Sequence, residues 1–430
     1  MPTDLQKKVL DQINEQEIVR FGMGLADIHS PTGLEAEAVR FWFEEFSKLG
    51  LRTKLQEISQ NRFNALAELP GTGAGFSLMF NGHLDISYTK RELHVPGGEN
   101  AFRYRQNPEA EQVDGKSTLQ EGWIVGNGIR NMKSAHAAYF GAVAAILRAG
   151  VKLKGDILVA AVSGEIEKAP VDDFQGVEYQ GYGEGTRYLV THGGVADGCI
   201  LGEPTKLQVM VGNFGALWLK LSTRGQISHT AWCDQVDNCI EAMANFVPRL
   251  RAWIDDYRRK VNFHGISPQV NISSFQGGWP WRLSRTPTYC NLYLDIRYAP
   301  GVNPLQIKEE IKRLVATVKK DDPRLDVEVD LLVNMPPAYT PPEDPIIQTI
   351  KTAHHTIFGE NPNESFDGAF TDASHLTSYG IPAVIYGPGG RNKPGIPDYV
   401  YGYQSVEDLI NATRVYALAA LNFCMQERKG

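Results

Sequence analysis

The sequence predicts an α/β fold in which a mixed central sheet flanked by helices is interrupted by an inserted two-layer βαββαβ unit. Three observations lead there. Helix and strand signals alternate from the N-terminus, which favours a layered α/β architecture over separate all-α or all-β units. Four short apolar runs, Phe76 to Phe80, Ile157 to Val162, Cys199 to Leu201 and Ala383 to Tyr386, are bounded by Gly, Pro, Asn or Ser and read as buried strands. From about Phe214 to Leu332 the pattern changes to strand, helix, two strands, helix and strand, and α/β signals resume after Pro341.

In chain order, Thr32 and Glu35 form a T-x-x-E capping box. The run through Phe41, Trp42, Phe43 and Phe46 then has helical spacing until Gly50 stops it. Tyr88 to Gln120 is polar and rich in charge and Gly, and reads as a long loop. The Gly126-Asn127-Gly128 turn leads into a helix with a small-residue face (Ala135, Ala138, Gly141, Ala144), and Asn131 sits at its start, where Asn is a favoured cap. The inserted unit reads as a strand at Ala216 to Ser222, a helix at Asn238 to Tyr257, strands at Gln269 to Phe275 and Cys290 to Arg297, a helix at Pro304 to Val318 and a strand at Leu325 to Leu332. His354 and His355 lie on an amphipathic helix and read as surface residues.

Composition narrows the function classes. A chain of 430 residues accommodates two or three domains. Its 42% hydrophobic, 10% aromatic and 22% charged residues are those of an ordinary globular protein. With 43 Lys and Arg against 50 Asp and Glu, the net charge of −7 excludes a basic, phosphate-neutralising nucleic-acid binder. No apolar run approaches the roughly 18–20 residues that span a bilayer. The start MPTDLQKKVLDQ lacks the apolar stretch of a signal peptide, so the expectation is a cytoplasmic protein without a membrane partner. Five scattered cysteines with no C-x-x-C pair argue against a disulfide framework or a cysteine zinc site.

The residues that carry chemistry fall in one pattern. His83 and Asp85 follow the first apolar run, Glu165 the second and Glu203 the third, and the Gly387-Pro388-Gly389-Gly390 turn follows the fourth. Open α/β sheets bind ligands outside the carboxyl ends of their strands, so these residues are expected to converge.

Nearly the whole chain resembles the metallohydrolase family that includes glutamate carboxypeptidase, acetylornithine deacetylase and succinyl-diaminopimelate desuccinylase. The motifs occur in order: PTG-x-E at Pro31 to Glu35, GHLD at Gly82 to Asp85, GNGIRNMK at Gly126 to Lys133, SGEIE at Ser163 to Glu167, GEPT at Gly202 to Thr205, SHT at Ser228 to Thr230, DIR at Asp295 to Arg297, TDASHL at Thr371 to Leu376 and GIPAVIYGPGG at Gly380 to Gly390. The resemblance implies a catalytic domain in two parts, 1–212 and 336–430, with a lid and dimerisation domain at 213–335. It implies His83 as a metal ligand oriented by Asp85, Glu203 as a carboxylate ligand, and Asn131 at the position of the family's metal-bridging aspartate. Glu165 falls in the paired-glutamate region, where one carboxylate is the general base and the next binds a second metal; its role stays open, with Glu167 as the fallback. His229 is implied to reach a neighbouring subunit's site and polarise the substrate oxygen, in a homodimer or larger assembly. The Gly389 turn and the lid are implied to meet the substrate.

Two departures alter the expected site. Asn131 is neutral, and no histidine follows His375, so the family's final imidazole ligand is missing. His375 itself is the candidate replacement. His83, Asn131 and Glu203 bring one formal negative charge, which suits one loosely held divalent ion, Mn²⁺ or Zn²⁺, better than two. In the inserted unit, Trp279-Pro280-Trp281-Arg282-Leu283-Ser284-Arg285 is explained either by core packing or by a substrate site in which Arg282 and Arg285 grip a carboxylate. The expected activity is metal-dependent hydrolysis of a C–N bond in a small carboxylate-bearing substrate. The narrower expectation is removal of the amino group from an electron-poor aromatic amine such as 5-nitroanthranilate, a reaction known in this family. The alternatives are an N-acyl amino acid deacylase or dipeptidase, and a non-catalytic binding protein that keeps the cleft.

Overall fold

The computed structural model describes residues 2–87, 116–396 and 402–428. The chain divides into two compact units, one of Met1–Gly212, Ala338–Ser365 and Thr371–Gly430, the other of Asn213–Pro337 and Phe366–Phe370. The first is built on a nine-stranded mixed sheet. Across it run Arg52–Ser59, Arg62–Leu69, Ile157–Val162, Leu78–His83, Gly198–Leu201, Ala383–Ile385, Val209–Asn213 and Ala338–Tyr339, with Glu364–Asp367 paired off this path to Val209–Asn213.

The parallel part of this sheet determines where the functional loops emerge. Leu78–His83 is parallel to both Ile157–Val162 and Gly198–Leu201, and Gly198–Leu201 is parallel to Ala383–Ile385. His83 lies opposite Val162, Asn81 opposite Leu201, and Leu201 opposite Ile385. The residues that continue each strand, Ser163 to Glu165, Gly202 to Glu203 and Tyr386 to Gly387, therefore leave the sheet at the same edge as His83. Buried on both faces, Ile157–Val162 and Gly198–Leu201 are continuous apolar runs rather than alternating ones, and Leu78–His83 is buried along its whole length. Two apolar helices, Ser134–Arg148 and Val406–Cys424, pack on one another within this unit. Gly141 lets the first approach the helix Glu15–Ala26 closely, since a Cβ there would lie 2.6 Å from Ile18 Cδ1.

Several sequence expectations are corrected here. The apolar run at Phe76 to Phe80 forms a strand shifted to Leu78–His83, so His83 ends the strand instead of following it. No capping box forms at Thr32 and Glu35: the helix is Ala36–Lys48, and its flanking Glu35 makes no side-chain cap bond because both side chains have tertiary partners. Of the expected loop, Tyr88 to Gly115 lies outside the described residues, and Thr118–Gln120 is a strand paired with Trp123–Val125. On the helix Pro345–Phe358, neighbouring side chains point about 100° apart. His355 is accordingly exposed, whereas His354 is buried and its Nδ1 lies 2.8 Å from the Tyr386 hydroxyl.

The second unit is a four-stranded antiparallel sheet in the order Val270–Gly277, Tyr289–Tyr298, Gly215–Arg224, Val327–Met335, with helices Cys239–Lys260 and Pro304–Asp321. Leu217, Leu219 and Leu221 alternate with more exposed residues, as a sheet with one covered face requires, and share a core with Leu292, Leu294, Phe246 and Ile311. Asn238 and Asn303 cap the two helices through their side-chain oxygens, and Pro304 occupies the first turn of the second.

Candidate functional site

The strand Leu78–His83 delivers His83 to the edge of the sheet fully buried. Its Nδ1–H donates to the Asp85 carbonyl at 2.8 Å, so Nε2 is the nitrogen that faces the site. There it meets Asn131 Oδ1 at 3.0 Å, Glu203 Oε1 at 3.6 Å and Glu165 Oε2 at 3.7 Å. Donor atoms of His83, Glu165 and Glu203 all lie within 4.8 Å of one another, and all three residues are buried. Asn131 does not cap the following helix. It stands in extended backbone (φ −133°, ψ 102°), and the helix begins only at Ser134.

An imidazole nitrogen facing three oxygens is satisfied by a proton or by a cation, and an imidazole, the Glu203 carboxylate and an amide oxygen, with the Glu165 carboxylate beside them, fit a divalent metal. Without a metal, the proton does this work. Burial alone would lower the His83 pKa, but the Glu203 and Glu165 carboxylates outweigh it and raise it well above the usual value. Burial, with Glu203, Asp372 and Asp85 nearby, holds Glu165 well above an ordinary carboxylate, against the opposing effect of His83. Both groups hold protons above their ordinary pKa values, so an incoming cation must displace them. Apparent metal affinity should therefore rise with pH, about tenfold per pH unit for each proton released, and chelator-competition titrations at several pH values check this. A pH-independent affinity would contradict it.

The supporting contacts differ from the expected ones. Burial would raise the Asp85 pKa, but His83, the Glu165 N–H and Thr32 together hold it down at about 2. Its carboxylate is 3.5 Å from His83 Nδ1, and its backbone carbonyl is the closer acceptor. The carboxylate instead gathers the turn that carries Glu165. Oδ1 accepts the Gly164 and Glu165 N–H groups at 3.0 Å each, and Oδ2 accepts the Ile166 N–H at 3.2 Å and the Thr32 hydroxyl at 2.9 Å. Asp85→Asn would turn an amide NH₂ toward these donors, and should weaken metal binding or activity by roughly ten- to a hundredfold. A wild-type metal affinity together with wild-type turnover in this variant would count against the arrangement. On the other side of His83, its carbonyl accepts the His136 Nε2–H at 3.2 Å, while His136 Nδ1 accepts the Trp42 indole N–H at 3.1 Å. Burial and the His83 charge push His136 down to about 3, which keeps it neutral.

Glu165, Asn131 and Glu203 thus come together around His83, with Asp85 behind them. Glu167, the fallback base, is exposed, whereas Glu165 two residues before it is buried. His375 is not among the clustered donors: its Nε2–H donates to the Tyr182 carbonyl at 2.8 Å. Gly389 is buried, and a Cβ there would meet the Arg130 carbonyl at 2.2 Å, so close packing accounts for glycine at this position. In the second unit, His229 is exposed and its Nδ1 accepts the Ala231 N–H at 3.1 Å. Arg282 is exposed and Arg285 half-buried, and neither forms an ion pair among the described residues. Trp281, 76% exposed and with its ring centroid 6.1 Å from that of Trp279, does not pack in a core.

Asp372 is a residue that sequence reasoning passed over within TDASHL. It is fully buried, its Oδ2 accepts the Thr186 hydroxyl at 2.8 Å, and burial raises it to about 7. Its charge acts on Glu165. Among the described residues no helix is long and apolar enough to cross a membrane.

Comparison with known proteins adds to this geometry. Residues 106–422 match the sequence pattern of peptidase family M20/M25/M40. The chain is similar to N-formyl-4-amino-5-aminomethyl-2-methylpyrimidine deformylase of Bacillus subtilis, 22% identical over 457 residues that cover 99% of this chain and 98% of the relative. It is similar to acetylornithine deacetylase of Myxococcus xanthus, 26% identical over 271 residues, 62% of this chain and 68% of the relative. A tripeptidase from Staphylococcus aureus shares the fold, with a TM-score of 0.72 and 17% identity over 96% of this chain and 99% of that one.

Proposed function

The chain belongs to peptidase family M20/M25/M40, and on that footing we propose that it uses one divalent cation, held by His83, Asn131 and Glu203, to hydrolyse a C–N bond in a small carboxylate-bearing substrate. It is a metal-dependent hydrolase acting on carbon–nitrogen bonds. The observation that carries the proposal is His83 Nε2, turned by the Asp85 carbonyl toward the oxygens of Asn131, Glu165 and Glu203. A cation at this point supplies the positive charge that acidifies water and polarises the bond under attack.

The chain's own residues do the remaining work. Glu165 takes the proton of the attacking water on its carboxylate and returns it to the departing nitrogen, a role suited to a buried carboxyl with a raised pKa. Imidazole, amide and carboxylate donors suit both Mn²⁺ and Zn²⁺. The single formal negative charge of the three ligands supports one ion per chain. In a homodimer or larger assembly, His229 of one chain stabilises the developing charge in its partner's site.

Arg282 and Arg285 are assigned to the substrate carboxylate. Each charge-assisted hydrogen bond to a carboxylate contributes about 1.5–3 kcal/mol, or roughly ten- to more than a hundredfold in affinity. Replacing either by Met should raise KM by that factor for the carboxylate substrate and much less for its neutral ester. Equal effects on both would make the arginines structural.

The relatives named above remove a formyl or an acetyl group, which favours an N-formyl or N-acyl amide as the bond cleaved. A second reading, removal of the amino group of an electron-poor aromatic amine, is favoured by the neutral Asn131 and by the exposed Trp281 beside Trp279. One experiment separates them. Chelator-treated protein is reloaded with Mn²⁺ or Zn²⁺ and assayed for formate, acetate or amino acid release from amides, and for ammonia release from 5-nitroanthranilate. Metal-dependent turnover of an amide supports the first reading and of the aromatic amine the second. Turnover unaffected by chelation would contradict both.

A further inference from the structure

We infer that the buried Glu35–Arg62 pair is a positioning device for Glu165, fixing the turn from Ser163 to Ile166 against the strand Arg62–Leu69. Arg62 and Glu35 are 1% and 0% exposed. Arg62 Nε donates to Glu35 Oε2 at 3.1 Å and Nη2 to Oε1 at 2.6 Å, which fixes the plane of the guanidinium. Glu35 Oε1 also accepts the Gly33 N–H at 2.9 Å, and Arg62 Nη1 reaches Gln180 Oε1 at 3.5 Å. A fully buried ion pair gains little net stability over apolar residues of the same size, so stability alone does not explain it.

What the pair faces does explain it. A Cβ on Gly164 would lie 2.5 Å from Arg62 Nη2, and Gly164 has φ +79°, so the guanidinium forms a wall against the residue before Glu165. The same strand holds the turn at its start: the Ser163 N–H donates to Asn64 Oδ1 at 3.2 Å and the Ser163 hydroxyl to the Phe63 carbonyl at 2.7 Å. Asp85 holds the other side through the Gly164, Glu165 and Ile166 N–H groups. The turn is thus clamped between Asp85 and a strand whose first side chain is locked by Glu35. Thr32 and Glu35, three residues apart, hold the two jaws, Thr32 through Asp85 and Glu35 through Arg62.

The functional consequence rests on Glu165 acting as proposed above, but the positioning itself is measurable without a substrate. Hydrogen exchange is followed at the amides of Gly164, Glu165 and Ile166 and, as a reference, in the helix Val406–Cys424, in wild type, Arg62→Lys and Glu35→Gln. Lysine keeps the charge but cannot form the two-point bond, and glutamine keeps the shape with one acceptor oxygen. Loss of one charge-assisted bond predicts roughly tenfold faster exchange in the turn with the reference helix unchanged. In metal-loaded protein kcat should fall while KM and metal content hold. Wild-type exchange in the turn of either folded variant, or exchange that rises equally in turn and helix, would overturn the inference. An inactive wild type would contradict the proposed hydrolase and leave the exchange comparison intact.

Discussion

Glu165→Gln lowers turnover by about two to four orders of magnitude, the contribution of one general acid–base group, and leaves the cation bound. Glutamine keeps the shape of the side chain and an oxygen that can point at His83, but it can neither accept the proton of water nor return one to the departing nitrogen. The fold should tolerate the change, because it removes one of four buried carboxyl groups, Asp85, Glu165, Glu203 and Asp372, whose charges oppose one another. Turnover of metal-loaded variant and its metal content after dialysis are measured together. Loss of the metal would make Glu165 a ligand, in keeping with its 3.7 Å approach to His83 Nε2. Undiminished turnover would move the proton transfer elsewhere, and the exposed Glu167 is badly placed to receive it.

His83→Ala releases the cation. Residues that only support a ligand cost roughly ten- to a hundredfold in metal affinity, and removing the imidazole itself should cost more. Asn131, Glu165 and Glu203 would remain, with no nitrogen donor and with the two carboxylates no longer facing an imidazole. The change should be local, because the backbone at residue 83 is held independently: its carbonyl accepts the His136 Nε2–H, residues 78–83 stay paired with Ile157–Val162, and residues 78–81 with Gly198–Leu201. Competition of Mn²⁺ against a chelator of known affinity checks this. Wild-type affinity in His83→Ala would remove the residue from the site.

The sequence showed the parts of the site that follow from the sheet. Apolar runs followed by His83, Glu165 and Glu203 required only that parallel strands share a carboxyl edge, and the registers of His83 with Val162 and of Asn81 with Leu201 produce that edge. The parts that depend on partners far along the chain were hidden. T-x-x-E at Thr32 and Glu35 is a local capping pattern, but its threonine bonds Asp85 and its glutamate bonds Arg62. Tertiary contacts worth more than a cap redirected both side chains, and no spacing in the sequence announces this. Asn131 was ambiguous for the same reason, since a good capping residue and a residue turned toward His83 look alike until the backbone is known. Arg62 carries no local pattern and Asp372 was not singled out within TDASHL, and burial beside the other charges reveals them both. At His354 and His355, helical spacing placed the pair on a helix but did not show which of the two faces inward.

We propose that a single divalent ion is held by His83, Asn131 and Glu203. Metal analysis decides this: the protein is stripped with chelator, dialysed against excess Mn²⁺ or Zn²⁺, freed of unbound metal and analysed per chain. One equivalent per chain, readily removed by chelator, is the predicted result, and two tightly held equivalents would contradict it.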